Sequence, residues 1–238
     1  MEQQNNLSIP TAIVIAGILI AGAVYLGTSK GSPTTAGNNQ QPQQVAQQPS
    51  GQAVDIAKVK TTGEPFVGNP NAPVTMAYWF DYQCPFCQRF ENDAITQLMS
   101  EYVKTGKVKI VFKDFQFLGP DSQTAGLAER AVWDVAPDKF YTWHKAMYDK
   151  QDNENGGWGN KVDILTLTKG LGIDSAKVEQ LMTSKADEYQ KAMDADKAEG
   201  GVFGINGTPG SIIGNNLISG AQPYATVKQL IDLALQGK

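Results

Sequence analysis

Cysteine and histidine are scarce in this 238-residue chain, which has two Cys and one His. Two cysteines cannot build the disulfide framework that staples small secreted domains, so packing must hold the core. A closed structural zinc site takes a full tetrahedral set of ligands, and Cys84, Cys87 and His144 are the only soft candidates. No metal centre and no cofactor are therefore expected. A basic cluster is also missing: 20 Lys and Arg stand against 24 Asp and Glu, for a net charge of −4. Nucleic-acid binding requires cationic side chains gathered to neutralise phosphates, so that class is set aside. No internal repeat is present. Apolar side chains are nearly absent from residues 27–52, a stretch of Gln, Pro, Ser, Thr, Gly and Asn. Such a segment cannot offset its ordering entropy by burial, and it reads as a disordered linker.

One long apolar run breaks this pattern. Ile9 to Leu26 carries no charge and is just long enough, at about 18–20 residues, to span a bilayer core as a helix. It reads as a membrane anchor behind a short tail, residues 1–8. The alternative is a cleaved signal peptide, because Ala21-Gly22-Ala23 has the small-x-small form of a cleavage site. No Lys or Arg precedes the run, which favours the anchor. Orientation evidence conflicts: Lys30 follows the run and Glu2 precedes it, a weak vote for a cytoplasmic domain. Long domains translocate largely regardless of charge, and a redox-active dithiol has more use in an oxidising compartment, so the extracytoplasmic side is expected. A linker of this length reaches roughly 25–30 Å, enough for a tethered domain to search the membrane surface.

The folded domain is expected over residues 53–238, as one core. Val74–Phe80 reads as a buried strand and Lys107–Lys113 as a second one. Between them, Phe90, Ala94, Leu98 and Tyr102 recur every four residues, which predicts a helix from Pro85 to about Thr105, stopped at Gly106. Strand, helix, strand implies a right-handed parallel crossover. Helices are then expected at Ala125–Val135, Lys139–Asp149, Val162–Leu171 and Ser175–Lys197. A hairpin of Ser211–Ile213 and Leu217–Ser219 follows, with Asn215-Asn216 suited to a positive-φ turn. Pro223 opens a last helix to about Leu235.

The chemistry concentrates in Cys84-Pro85-Phe86-Cys87, where the first strand gives way to the first helix. Pro85 suits the first helical position, which places Cys84 at the N-cap and Cys87 one turn in. The helix's positive end and unsatisfied N–H groups favour a thiolate at Cys84. Cys84 is the expected nucleophile and Cys87 the more buried resolving thiol, so thiol–disulfide exchange is the leading reading. A structural disulfide is the alternative. Phe86 offers the thiolate no hydrogen bond, so a less oxidising site is expected than one with His at that position.

Phe80–Cys87, Val111–Phe115 and Gly204–Pro209 together resemble the DsbA-like thiol–disulfide oxidoreductases, in their membrane-anchored or secreted bacterial form. The similarity runs from Asn71 nearly to the C-terminus. It implies an α/β thioredoxin fold with a helical domain, about residues 120–200, inserted between the second parallel strand and the cis-Pro hairpin. It also implies that Thr208 and Pro209 line the substrate site through a cis bond. The implied function is donation of a disulfide to reduced exported proteins, with reoxidation by a quinone-linked membrane partner of DsbB or vitamin-K-epoxide-reductase type. A disulfide reductase or isomerase on the same fold, or a non-catalytic peptide-binding module, are the alternatives.

The chain departs from that pattern in two places. Relatives often carry an acid six residues before the first cysteine, where this chain has Tyr78, and Asp81 is expected on the opposite face; proton handling by a buried carboxylate is thus in question. After the proline, Gly210-Ser211 replaces bulky residues, which predicts a looser groove. His144 reads as a packed or surface side chain, Trp158 as packing over the helical region rather than a groove cap, and Phe112 and Phe115 as core.

Overall fold

The structure, a computed structural model, describes residues 54–237. Among these, no helix is long and apolar enough to cross a membrane. The apolar run Ile9–Leu26 and the 27–52 linker lie outside the described residues.

Five strands form one mixed sheet in the order β1-β3-β2-β4-β5. They are β1 (Phe66–Val67), β2 (Val74–Phe80), β3 (Val108–Asp114), β4 (Gly210–Ile213) and β5 (Asn216–Ser219). β2 and β3 run parallel, with Tyr78 opposite Phe112. β1 and β4 flank them antiparallel, Tyr78 lying opposite Ser211 of β4. The expected crossover between parallel strands is present. The hairpin differs in its turn: Ile213 pairs with Asn216, so the turn is Gly214-Asn215. Gly214 takes the positive φ, +58°, because glycine pays no Cβ penalty there.

Alternation along β2 sorts the core into two layers. Met76, Tyr78 and Phe80 belong to the larger cluster. Ala77 and Trp79 belong to a smaller one on the other face, with Val54, Val59, Phe115, Ile205 and Ile212.

The helix after β2, α1, is one helical run over residues 85–103, and it contains two wide π turns, Glu91–Ile95 and Met99–Val103. These turns answer a puzzle in the sequence. A strict four-residue apolar repeat drifts off one face of a helix with 3.6 residues per turn. Widening two turns keeps Phe90, Ala94, Leu98 and Tyr102 all buried.

Between β3 and β4 the chain runs through α2 (Pro120–Val135), α3 (Phe140–Lys150), α4 (Lys161–Gly170), α5 (Ser175–Ser184) and α6 (Ala186–Val202). The single helix expected over Ser175–Lys197 is two, broken at Lys185. No Gly or Pro marks the break. Lys185 and Tyr189 both reach Asp134 at the end of α2, so a tertiary contact fixes the corner. α6 crosses the second face of the sheet, where Gly200 lies against Trp79: a Cβ there would sit 2.9 Å from the indole nitrogen. That nitrogen donates to the Asp196 carbonyl at 2.8 Å. The last helix is α7 (Tyr224–Leu235).

A buried ion cluster joins these parts. Arg130 of α2 reaches Glu64 at 2.9 Å, Asp114 of β3 at 2.6 Å and Asp196 of α6 at 2.5 Å. Lys113 is fully buried, and its ammonium meets Asp196, Glu199 at 3.0 Å and the Lys60 carbonyl at 3.1 Å.

Candidate functional site

The strand-to-helix junction forms as its residues dictate. Cys84 is the N-cap with extended backbone, φ −80° and ψ 116°, and Pro85 opens the helix where its missing N–H costs nothing. The Cys84 carbonyl accepts from the amides of Cys87 at 3.0 Å and Gln88 at 3.2 Å. Both thiols are free. Cys87 is fully buried, while Cys84 keeps a small exposed face, 5%. Phe86 is more than half exposed beside them, and the Arg89 guanidinium stands 5.1 Å from its ring centre.

The loop before β4 forms the opposite wall. The Thr208–Pro209 bond is cis, and Cys84 Sγ lies 3.4 Å from the Thr208 carbonyl oxygen. Glycine after the proline does not loosen this wall as expected. Gly210 and Ser211 are both buried, and Ile205 occupies the space a side chain would take, its Cγ2 2.6 Å from the position of a Cβ.

The two sulfurs are electrostatically unequal. Cys84 is lowered from the ordinary 9.0 to about 6, chiefly because the Cys87 thiol donates to it. Burial opposes this, and the Thr208 side chain and the amides of Cys87 and Phe86 assist. Burial pushes Cys87 well above the ordinary value, and its bond to the Cys84 thiolate adds to that. Because the Cys84 pKa is depressed in the folded reduced protein, its thiolate contributes stability at high pH, and that contribution is lost as pH falls through about 6. Thr208→Val is expected to raise the Cys84 pKa, since the Thr208 side chain is among the groups that favour the thiolate. Thiolate absorbance followed against pH checks this; a midpoint unchanged from the parent would remove Thr208 from the account.

Asp81 is not a free acid. Its carboxylate accepts from the amides of Gln83 at 2.8 Å, Phe117 at 2.9 Å and Leu118 at 3.2 Å, and from the Ser122 hydroxyl at 2.6 Å. It ties the cysteine turn to the start of α2. The end of α3 clasps the same turn, with the Gln151 amide donating to the carbonyls of Tyr82 and Cys84. Gln83 joins the 152–159 loop, accepting from the Asn155 amide at 2.9 Å and donating to the Trp158 carbonyl at 3.5 Å. The Trp158 side chain is half-buried and packs against the core, as expected. Phe112 and Phe115 are core. His144 is fully buried, its Nδ1 2.8 Å from the Tyr82 hydroxyl. The sequence reading overlooked Glu91. It is fully buried, and the one signal for it was its spacing, one turn beyond Cys87 on the same helix.

Comparison with known proteins agrees with this geometry. A family model described as thioredoxin matches residues 60–233. Disulfide bond formation protein D of Bacillus subtilis is 28% identical over 179 residues, covering 74% of this chain and 79% of that protein. The crystal structure of oxidised BdbD from Bacillus subtilis superposes with a TM-score of 0.68 at 26% identity, over 75% of this chain and 96% of that one. The thiol-disulfide exchange protein α-DsbA2 of Wolbachia pipientis gives a TM-score of 0.63 at 28% identity, over 71% and 86%. The chain belongs to the thioredoxin family, and within it to the DsbA-like thiol–disulfide oxidoreductases.

Proposed function

We propose that this protein is an extracytoplasmic dithiol oxidant that donates its Cys84–Cys87 disulfide to reduced exported proteins. The observation that carries this reading is the inequality of the two sulfurs. Cys84 is stabilised as a thiolate near pH 6, whereas Cys87 is buried and held as a thiol. A substrate thiolate attacks Cys84 in the disulfide and expels Cys87. A second substrate thiol then breaks the mixed disulfide and releases Cys84 as a stabilised leaving group. The Cys84 thiolate favours the reduced protein, and that bias drives oxidation of the substrate.

Pro85 and Phe86 shape the loop, and the exposed Phe86 ring offers an apolar contact to an unfolded substrate. Thr208 and Pro209 supply the wall along which its extended backbone lies. The run Ile9–Leu26 anchors the domain and residues 27–52 tether it, so a quinone-linked membrane partner of DsbB or vitamin-K-epoxide-reductase type can reoxidise it.

Redox titration against glutathione tests the proposal. A potential well above about −250 mV is expected, with the oxidised form less stable than the reduced form. A thioredoxin-like potential would instead favour the reductase reading. Phe86→His, which adds a donor beside the thiolate, should shift the potential further in the oxidising direction. A variant no more oxidising than the parent would remove Phe86 from the tuning.

A further inference from the structure

The chain has two arginines, and they stand in opposite settings. Arg130 lies inside the buried ion cluster, with three carboxylates around it. Arg89 stands exposed on α1, five residues past Cys84. It takes part in none of the ion pairs among the described residues. Asp93, four residues on, is the ordinary helical partner for it. The π turn over Glu91–Ile95 breaks the spacing on which that pair depends.

What Arg89 does touch belongs to the rim of the cysteine site. Its guanidinium stands over the exposed Phe86 ring, and Nη2 donates to the Ala221 carbonyl at 3.4 Å, in the turn between β5 and α7. The neighbouring Gly220 amide donates to the Pro209 carbonyl at 2.9 Å. The Thr208 carbonyl oxygen lies 3.4 Å from Cys84 Sγ. These contacts run unbroken from Phe86 through Arg89, the β5–α7 turn and the cis-Pro loop back to Cys84. A guanidinium carries five N–H donors in a planar fork that matches a carboxylate. One of them is used here, at long distance. Stacking on Phe86 holds the fork in place and leaves its other donors to a carboxylate from outside.

We propose that Arg89 is a specificity residue, which selects substrate segments carrying an Asp or Glu beside the reacting cysteine. Phe86 takes the apolar part of such a segment and Arg89 its carboxylate. Arg89 forms and breaks no covalent bond. The substrate thiolate attacks Cys84 and expels Cys87, and the second substrate thiolate completes the substrate disulfide, leaving both protein sulfurs reduced. Arg89 holds the segment while the first sulfurs meet, so its effect falls on the rate of encounter and capture.

The inference rests on the exchange reading above, and competition among peptides separates the two. Oxidised full-length protein is mixed with short peptides containing two cysteines and one variable residue, Glu, Gln or Lys. That residue precedes the first cysteine in one series and follows it in the other, so either chain direction is covered. Each rate is divided by the same peptide's rate with bis(2-hydroxyethyl) disulfide, an uncharged oxidant, which removes differences in thiol reactivity. In at least one series the parent is expected to prefer Glu over Lys by about three- to tenfold at low salt, the preference shrinking at high salt. Arg89→Gln should bring the ratio near one, Arg89→Lys should keep part of it, and Arg89→Glu should invert it. No preference for Glu in the parent in either series overturns the proposal. So does Arg89→Gln with the parent's ratio, including a variant that slows all peptides alike, which would assign Arg89 to holding the β5–α7 turn. Failure of the parent to oxidise any peptide overturns the exchange reading instead.

Discussion

Cys84→Ser is expected to abolish disulfide exchange, with a loss of at least about a thousandfold, because a serine oxygen cannot form or break the S–S bond. The companion substitution behaves differently. Cys87→Ala keeps the nucleophile and removes the group that resolves the intermediate, so mixed disulfides through Cys84 accumulate in the native host. The asymmetry follows from the geometry: Cys84 keeps the open face and the donors that stabilise its thiolate, whereas Cys87 is sealed one turn below. Diagonal gels before and after reduction read both outcomes. If Cys87→Ala trapped nothing while Cys84→Ala trapped substrates, the roles of the two cysteines would be reversed. If neither variant trapped substrates and refolding substrates were oxidised at the parent rate, the pair would be structural and the protein a binding module.

The largest loss of stability is expected from Arg130→Met. Arg130 is nearly buried and bridges Glu64, Asp114 and Asp196. Removing one member of a buried ion cluster leaves uncompensated charge and costs about 3–5 kcal/mol. The pH dependence identifies the cause. Asp196 is raised from 3.8 to about 7 by burial first and by the neighbouring Asp114 next, and burial pushes Glu129 beside them well above its ordinary value. A folded-state pKa above the unfolded value means that the native protein holds more protons across the interval from 3.8 to about 7, so stability falls as pH rises through it. Losing the guanidinium steepens that fall. The deficit of Arg130→Met should therefore be smaller at pH 5 than at pH 8 in denaturant titrations. An equal deficit at both values would assign the loss to packing of the side chain alone.

Much of the site was legible because it is local. The apolar run of β2, Pro85 after Cys84 and the four-residue repeat behind it specify strand, N-cap and helix within some thirty consecutive residues. From that the unequal roles of Cys84 and Cys87 follow. Where the reading slipped, the deciding interaction was distant. The break at Lys185 depends on Asp134 of another helix, and the space beside Gly210 is closed by Ile205. Glu91 lies a single turn past Cys87, yet nothing in its own segment distinguishes it from a solvated glutamate. Tyr141 and His144 of α3, fifty residues away or more, cover it. Lys113 likewise looks like the polar end of an alternating strand until α6 brings Asp196 and Glu199 to it.

The sequence by itself determined where two sulfurs meet and which of them faces outward, since helix capping and proline placement are set by neighbours in the chain. Tertiary structure alone decided what surrounds them: the Thr208 wall, the occupied carboxylate of Asp81 and the buried carboxylate of Glu91. Burial and electrostatic environment are sums over all packed elements, and no local segment carries that sum.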